Sequence, residues 1–167
     1  MSKVQPRLPR AVDFPSPETV HARARAARES HLTRPHCFTE GLSPRDRHAR
    51  AMALRKETLT EEQLGEEIER VKRLIDVACS GGKMSVAIAT IAVADCANWC
   101  VRARAQDMAE GWEQDLPGKV RTVVDRLAVL FRRTATPVRT FRFVVVDTSF
   151  YDDADRRVET CALLVAW

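Results

Sequence analysis

The sequence predicts an α+β fold: a three-stranded, mostly antiparallel sheet with helices packed on one face, preceded by an extended arm with short helices. Three observations carry this expectation. Composition changes at Lys56. Residues 1–56 hold six of the eight prolines, all four histidines, and 12 Lys/Arg against 5 Asp/Glu, whereas residues 57–167 hold 15 against 18. Apolar residues become periodic only past that point, with helical stripes at 64–78 and 120–131. Three β-patterned runs follow the helix breaks, and the last two are nine residues apart, a hairpin spacing. The expected organisation is a basic, Pro-punctuated arm over residues 1–56 and a compact domain over 57–167.

In the arm, Ser16-Pro17-Glu18 reads as a helix start, with serine able to cap, proline at the first helical position and an acid on the positive end of the dipole. Pro35 and Gly41 break the chain. Ser43-Pro44 repeats the start signal for a second short helix, roughly Pro44 to Arg55. The first of these, Pro17 to about Glu29, has too little apolar face to stand alone in water.

The domain opens with a capping box, Thr60-Glu61-Glu62-Gln63. The helix behind it places Leu64, Ile68, Val71, Leu74, Ile75 and Ala78 on one face. Its outer face pairs Glu66 with Arg70 and Glu69 with Arg73 at i, i+4. Ser80-Gly81-Gly82 ends it, because glycine takes the left-handed C-terminal conformation freely. Lys83–Ile91 alternates Met84, Val86 and Ile88 against Ser85, Ala87 and Ala89, which is a strand. Asp95 is expected to cap a helix running to about Glu113, with Cys96, Trp99, Cys100 and Ala103 inward. Leu116-Pro117-Gly118 is a break, and Val120, Val123, Val124, Leu127, Leu130 and Phe131 form the next helical stripe. Pro137 precedes a strand at Arg139–Asp147. Residues 148–156 form an Asp-rich turn, and Arg157–Trp167 is the last strand. The first strand must join this hairpin, since an isolated hairpin is marginal.

The candidate chemistry is sparse. Gly81-Gly82-Lys83 has Met84 where a phosphate loop needs Ser or Thr, and it follows a helix where such a loop follows a strand. His36-Cys37, His31 and His48 lie in the arm without a local third group to make a catalytic or metal constellation. Cys96 and Cys100 sit at i, i+4 and read as small core residues, since a zinc site needs about four ligands. Asp147, Asp152, Asp153 and Asp155 lack the calcium-loop glycine and distal glutamate, so a solvated turn is expected. No catalytic, cofactor or metal residue is therefore assigned. No run approaches a membrane span, and the N-terminus lacks a secretory h-region.

The residues expected to meet a partner are Arg7, Arg10, Arg23, Arg25, Arg28, Arg34, Arg45 and Arg47, together with Phe38, Phe150 and Tyr151. The arm uses 10 arginines against 2 lysines. Arginine forks onto carboxylates and carbonyls and lays its stem on apolar surface, so protein docking is the first reading. Nucleic-acid phosphates are the second. Base stacking is poorly served, with Phe14 and Phe38 as the only aromatics of the arm. Phe150 and Tyr151, exposed in a turn, are typical interface anchors.

The chain also resembles small α+β structural or uncharacterised virion proteins of tailed bacteriophages. The matching residues are the charged helix opening at Thr60, Gly82-Lys83-Met84-Ser85-Val86 stepping into a strand, Leu116-Pro117 at a helix start, and a hairpin ending at Trp167. The likeness covers roughly residues 60–91 and 116–167. It implies a particle-building protein found in the virion, assembled in the host cytoplasm and without an active site. The expected function is thus a non-enzymatic structural component of a large assembly. Its partners would be neighbouring protein subunits, including copies of itself, with nucleic acid secondary. The alternative is an accessory subunit of a ribosomal or organellar complex that contacts RNA through the arm.

Overall fold

In the computed structural model the chain divides into two units, Met1–Ser30 and His31–Trp167. The residues described are 30–32, 42–96, 111–137 and 140–167, all but Ser30 in the second unit. The first arm helix expected from Ser16-Pro17 lies outside them, as do Trp99, Cys100 and Ala103.

The unit is α+β. Helix α1 (Pro44–Lys56) and helix α2 (Glu61–Ser80) precede strand β1 (Ser85–Ala92), and helix α3 (Gly118–Thr134) precedes β2 (Arg142–Asp147), β3 (Phe150–Tyr151), β4 (Arg157–Val158) and β5 (Thr160–Ala166). The sheet order is β1-β5-β2 with both pairings antiparallel. The last strand is central because it pairs with its hairpin neighbour on one side and takes in β1 on the other.

The punctuation works as local chemistry requires. Ser43 accepts a hydrogen bond from the Asp46 amide to cap α1. At α2 both halves of the capping box form: Thr60 Oγ1 accepts from the Gln63 amide and Gln63 Oε1 accepts from the Thr60 amide. At the other end Gly82 takes φ +72°. The amides of Gly82 and Lys83 turn back to the carbonyls of Cys79 and Ala78, a Schellman closure.

The helical stripes meet one face of the sheet. Leu64, Ile68 and Val71 of α2 and Val120, Val123, Val124, Leu127 and Phe131 of α3 are buried in one cluster with Cys161, Leu163 and Val165 of β5. Burying a side chain of this size contributes about 1.5–3 kcal/mol. Aromatic rings close one end. Phe131 stacks on Phe141 at 4.6 Å, and Trp167 meets Phe141 edge-on at 6.2 Å.

Four expectations need correction. First, β1 does not alternate to its end. Its register against β5 slips between Ala87 and Ala89, so Ile88 is an extra residue and Ala89 and Ile91 join the buried side. The bulge lets apolar residues spaced two and then three apart, Val86, Ile88 and Ile91, all serve the core. Second, Asp95 does not cap a helix. It closes a 3-10 turn, Val93–Asp95; residues 97–110 of the expected helix lie outside the described residues, and its expected end at Glu113 falls in another 3-10 turn, Trp112–Asp115, entered through Gly111 at φ +81°. Third, the turn expected over 148–156 is tighter, because Phe150 and Tyr151 still pair with Val158 and Arg157. Fourth, Gly118 is not a break but the first residue of α3, placed there by close packing. A Cβ on it would lie 2.1 Å from the Glu57 carbonyl oxygen and 2.6 Å from that of Arg55.

That contact ties α1 to the domain, although composition groups it with the arm. Ala51 and Leu54 are buried. Arg50 grips the buried Asp95 through Nε at 2.9 Å, Arg121 donates to the Arg55 carbonyl, and Lys119 lies 3.5 Å from Glu57. The step in composition at Lys56 is therefore not a step in packing.

A candidate interaction surface

The β2–β5 hairpin has one continuous register. Arg142 pairs with Ala166, Val144 with Leu164, Val146 with Ala162 and, further out, Phe150 with Val158. Strand alternation puts these residues on the face away from the helices. Neighbouring β1 contributes Ala87, beside Leu164, and Thr90, beside Ala162. The outer face is thus nearly as apolar as the inner one, and it lies open in part: Thr160, Ala162 and Ala166 of the central strand are buried, while its flanks are exposed. Val146 is 43% exposed and Phe150 44%, Ala87 and Thr90 are exposed, and Val144 and Leu164 are half-buried. Within the hairpin, Thr148 and Thr160 interrupt the stripe and satisfy each other, while Thr90 on β1 stays exposed. The Thr160 hydroxyl donates to the Thr148 carbonyl at 2.9 Å and shares a 3.0 Å hydrogen bond with the Thr148 hydroxyl. Their methyl groups need no water.

The loop at the hairpin end holds itself rigid. Asp152 Oδ1 accepts from the amides of Ala154 and Arg156, and Oδ2 from Arg156 Nε, each at 2.9 Å. The Arg156 guanidinium and then its backbone amide hold the Asp152 carboxyl below the usual carboxylate range. Asp155 takes φ 57°, a left-handed conformation that aspartate tolerates better than most residues. Asp147 accepts from the Ser149 amide and hydroxyl. Two of the four aspartates considered for a cation are thus committed to the chain's own groups. Among the described residues no three His, Cys, Asp or Glu side chains converge as metal ligands.

A second charged cluster is internal. Glu67 is 1% exposed. Its Oε1 accepts from the His31 amide at 2.6 Å and its Oε2 from Arg70 Nε at 2.7 Å. Arg70 Nη2 then donates to the carbonyl of Ile88, the bulged residue, at 2.6 Å. The expected Glu66–Arg70 and Glu69–Arg73 pairs do not form. Arg70 turns inward because a buried carboxylate and a bulge carbonyl both need a donor. Glu66 meets the His31 ring at 2.6 Å and Glu69 meets Lys72. Periodicity gave no warning of this network, since glutamate reads as solvent-facing. The one available signal was the Val86, Ile88, Ile91 spacing, which implies a bulge and therefore a carbonyl out of register.

Of the residues expected to meet a partner, Arg45 and Arg47 stand exposed on α1, and Phe150 and Tyr151 (66% exposed) stand near the hairpin end. Arg7, Arg10, Arg23, Arg25, Arg28, Arg34 and Phe38 lie outside the described residues. The structure adds Val144, Val146 and Leu164 to Phe150. Residue-by-residue reading missed them because a β-branched run reads as core whichever way it faces. Among the described residues no helix is long and apolar enough to cross a membrane. No protein-family model, no curated protein and no solved structure matches this chain.

Proposed function

We propose that the chain is a non-enzymatic structural component of a large assembly, of the kind that builds tailed-phage particles, and that it docks on neighbouring subunits. The observation that carries this reading is the exposed apolar stripe on the outer face of the sheet, extended by Phe150 at the end of a self-braced hairpin, with Tyr151 exposed on the other side of the same strand. Rigid aromatic anchors beside aliphatic surface are what protein interfaces use. The buried charges support the same reading. Glu67, Arg70, Asp95 and Arg50 hold the chain's own backbone and helices together. The arginines of the basic arm add groups suited to carboxylates and carbonyls of neighbours.

The test is sedimentation of the tagged full-length chain from cells that make it, with and without nuclease. Wild type should travel with a large, nuclease-resistant species. Phe150→Asp should shift it to the light fractions, and Arg23→Ala/Arg25→Ala/Arg28→Ala should reduce incorporation without changing the melting temperature. A chain that stays light at every stage overturns the proposal. A chain released by nuclease while its protein neighbours stay together replaces it with the RNA-contacting reading.

A further inference from the structure

We infer that the open sheet face pairs with the same face of a second copy, giving a two-fold symmetric dimer. This deepens the assembly reading by naming one neighbour, and it rests on that reading only for its biological setting.

The face is complementary to itself. Along the outer face, Arg142 stands at one end, Val144, Val146, Leu164 and Phe150 fill the middle, and the Asp152–Arg156 loop closes the other end. Arg142 and Asp153 are both exposed, and neither is ion-paired among the described residues. The arginines near the loop are already engaged: Arg156 with Asp152, and Arg157 facing Asp147 and Glu159. The loop therefore offers unspent negative charge in Asp153 and Asp155, and the opposite end offers an unspent positive one. A two-fold axis crossing the strands near Val146 and Thr148 reverses one copy on the other. It lays each Arg142 over the partner's loop and each Phe150 over the partner's Val144 and Leu164. The Thr148–Thr160 pair sits at the centre with its hydroxyls internally satisfied, so neither of these two hydroxyls loses water unpaired. Face-to-face packing of twisted sheets at about 10 Å accommodates this arrangement. An isologous contact of this kind closes on itself.

The experiment is sedimentation equilibrium on the purified full chain over a wide concentration range, at low and high salt. A dimer is expected, weakened by salt. Val146→Asp should raise the dissociation constant by at least a hundredfold with an unchanged circular dichroism spectrum. Arg142→Asp and Asp153→Arg should each raise it about tenfold, and the double variant Arg142→Asp/Asp153→Arg should recover most of that loss. This rescue requires Arg142 of one copy to meet Asp153 of another, and both sites are exposed, so folding is not at stake. A monomer at all concentrations, a dimer indifferent to Val146→Asp, or single-charge losses that simply add in the double variant would each overturn the inference. A monomer that still enters a large, nuclease-resistant species through Phe150 would leave the assembly reading intact. A dimer found only in light fractions would do the reverse.

Discussion

The two faces of the sheet are built from nearly the same residues and have opposite fates. The inner face shows Phe143, Val145, Leu163 and Val165 to the helices, and Leu163 and Val165 are fully buried. The outer face shows Val144, Val146, Leu164 and Phe150 to solvent or half-buried. A sheet meant to face water alternates apolar with polar, whereas runs such as Phe143–Val146 and Ala162–Val165 belong to strands covered on both sides. Hydrophobicity of a strand thus says that it will be covered, and only its packing says by what.

The largest expected effect sets one face against the other. Leu163→Ala should cost about 2–5 kcal/mol, because it opens a cavity among packed helices. Val146→Ala should lie within about ±0.5 kcal/mol, as surface changes do. Urea melts of both variants at concentrations where the chain is monomeric would decide. Equal losses would mean that the outer face is already covered and would remove the basis for a docking surface.

A second prediction concerns the seam between α1 and α3. Gly118→Ala forces a Cβ against the Glu57 backbone carbonyl, which cannot swing away as a side-chain end would. Overpacking of this kind costs about 1–3 kcal/mol. Chemical shifts should change around Ala51, Leu54 and Asp95, while the outer face stays still. If shifts at Val144–Phe150 move as much as those in α1, the two regions are coupled more tightly than separate packing allows.

Much of the fold was legible because it rests on local chemistry. The Thr60 capping box, the Gly82 closure and the α2 and α3 stripes each depend on residues within one turn or one helical face. What was not legible depends on distant partners. Gly118 looks like a break until the carbonyls of Arg55 and Glu57 are placed against it. Arg70 looks solvated until Ile88 presents a bulge carbonyl. Helix α1 looks like arm because its composition is the arm's, and only Ala51, Leu54 and the Arg50–Asp95 pair tie it inward. The same holds for the candidate surface. Phe150 and Tyr151 stood out as aromatics in a turn, but the stripe that Phe150 extends emerges only from the pairing of β2 with β5.

The smallest expected effect separates the hairpin loop from the helices by pH. Asp152 is held below the usual carboxylate range, chiefly by Arg156. Its contribution is therefore present above the ordinary carboxylate pKa of about 3.9 and is lost as pH falls through its lower folded value. Asp125 on α3 goes the other way. Partial burial raises its carboxyl, Arg121 opposes the shift and Glu113 adds to it. A raised acid favours the neutral form, so its contribution is present below the ordinary value and is lost as pH rises through the folded one. Asp125 is exposed and Asp152 lies in a surface turn against the half-exposed Arg156, so the melting temperature should barely register either change. Carboxyl-detected NMR titration from pH 6 to pH 2 should resolve them. Asp125 should protonate first, well before Asp152. The Ala154 and Arg156 amides should follow Asp152 when they lose its carboxylate as acceptor. Arg156→Ala should return Asp152 toward the ordinary value and loosen the loop, leaving the titration of Asp125 unchanged. Coincident titration of the two aspartates would show that the loop is not braced by Arg156. A loose loop would also deprive the outer face of its fixed negative end.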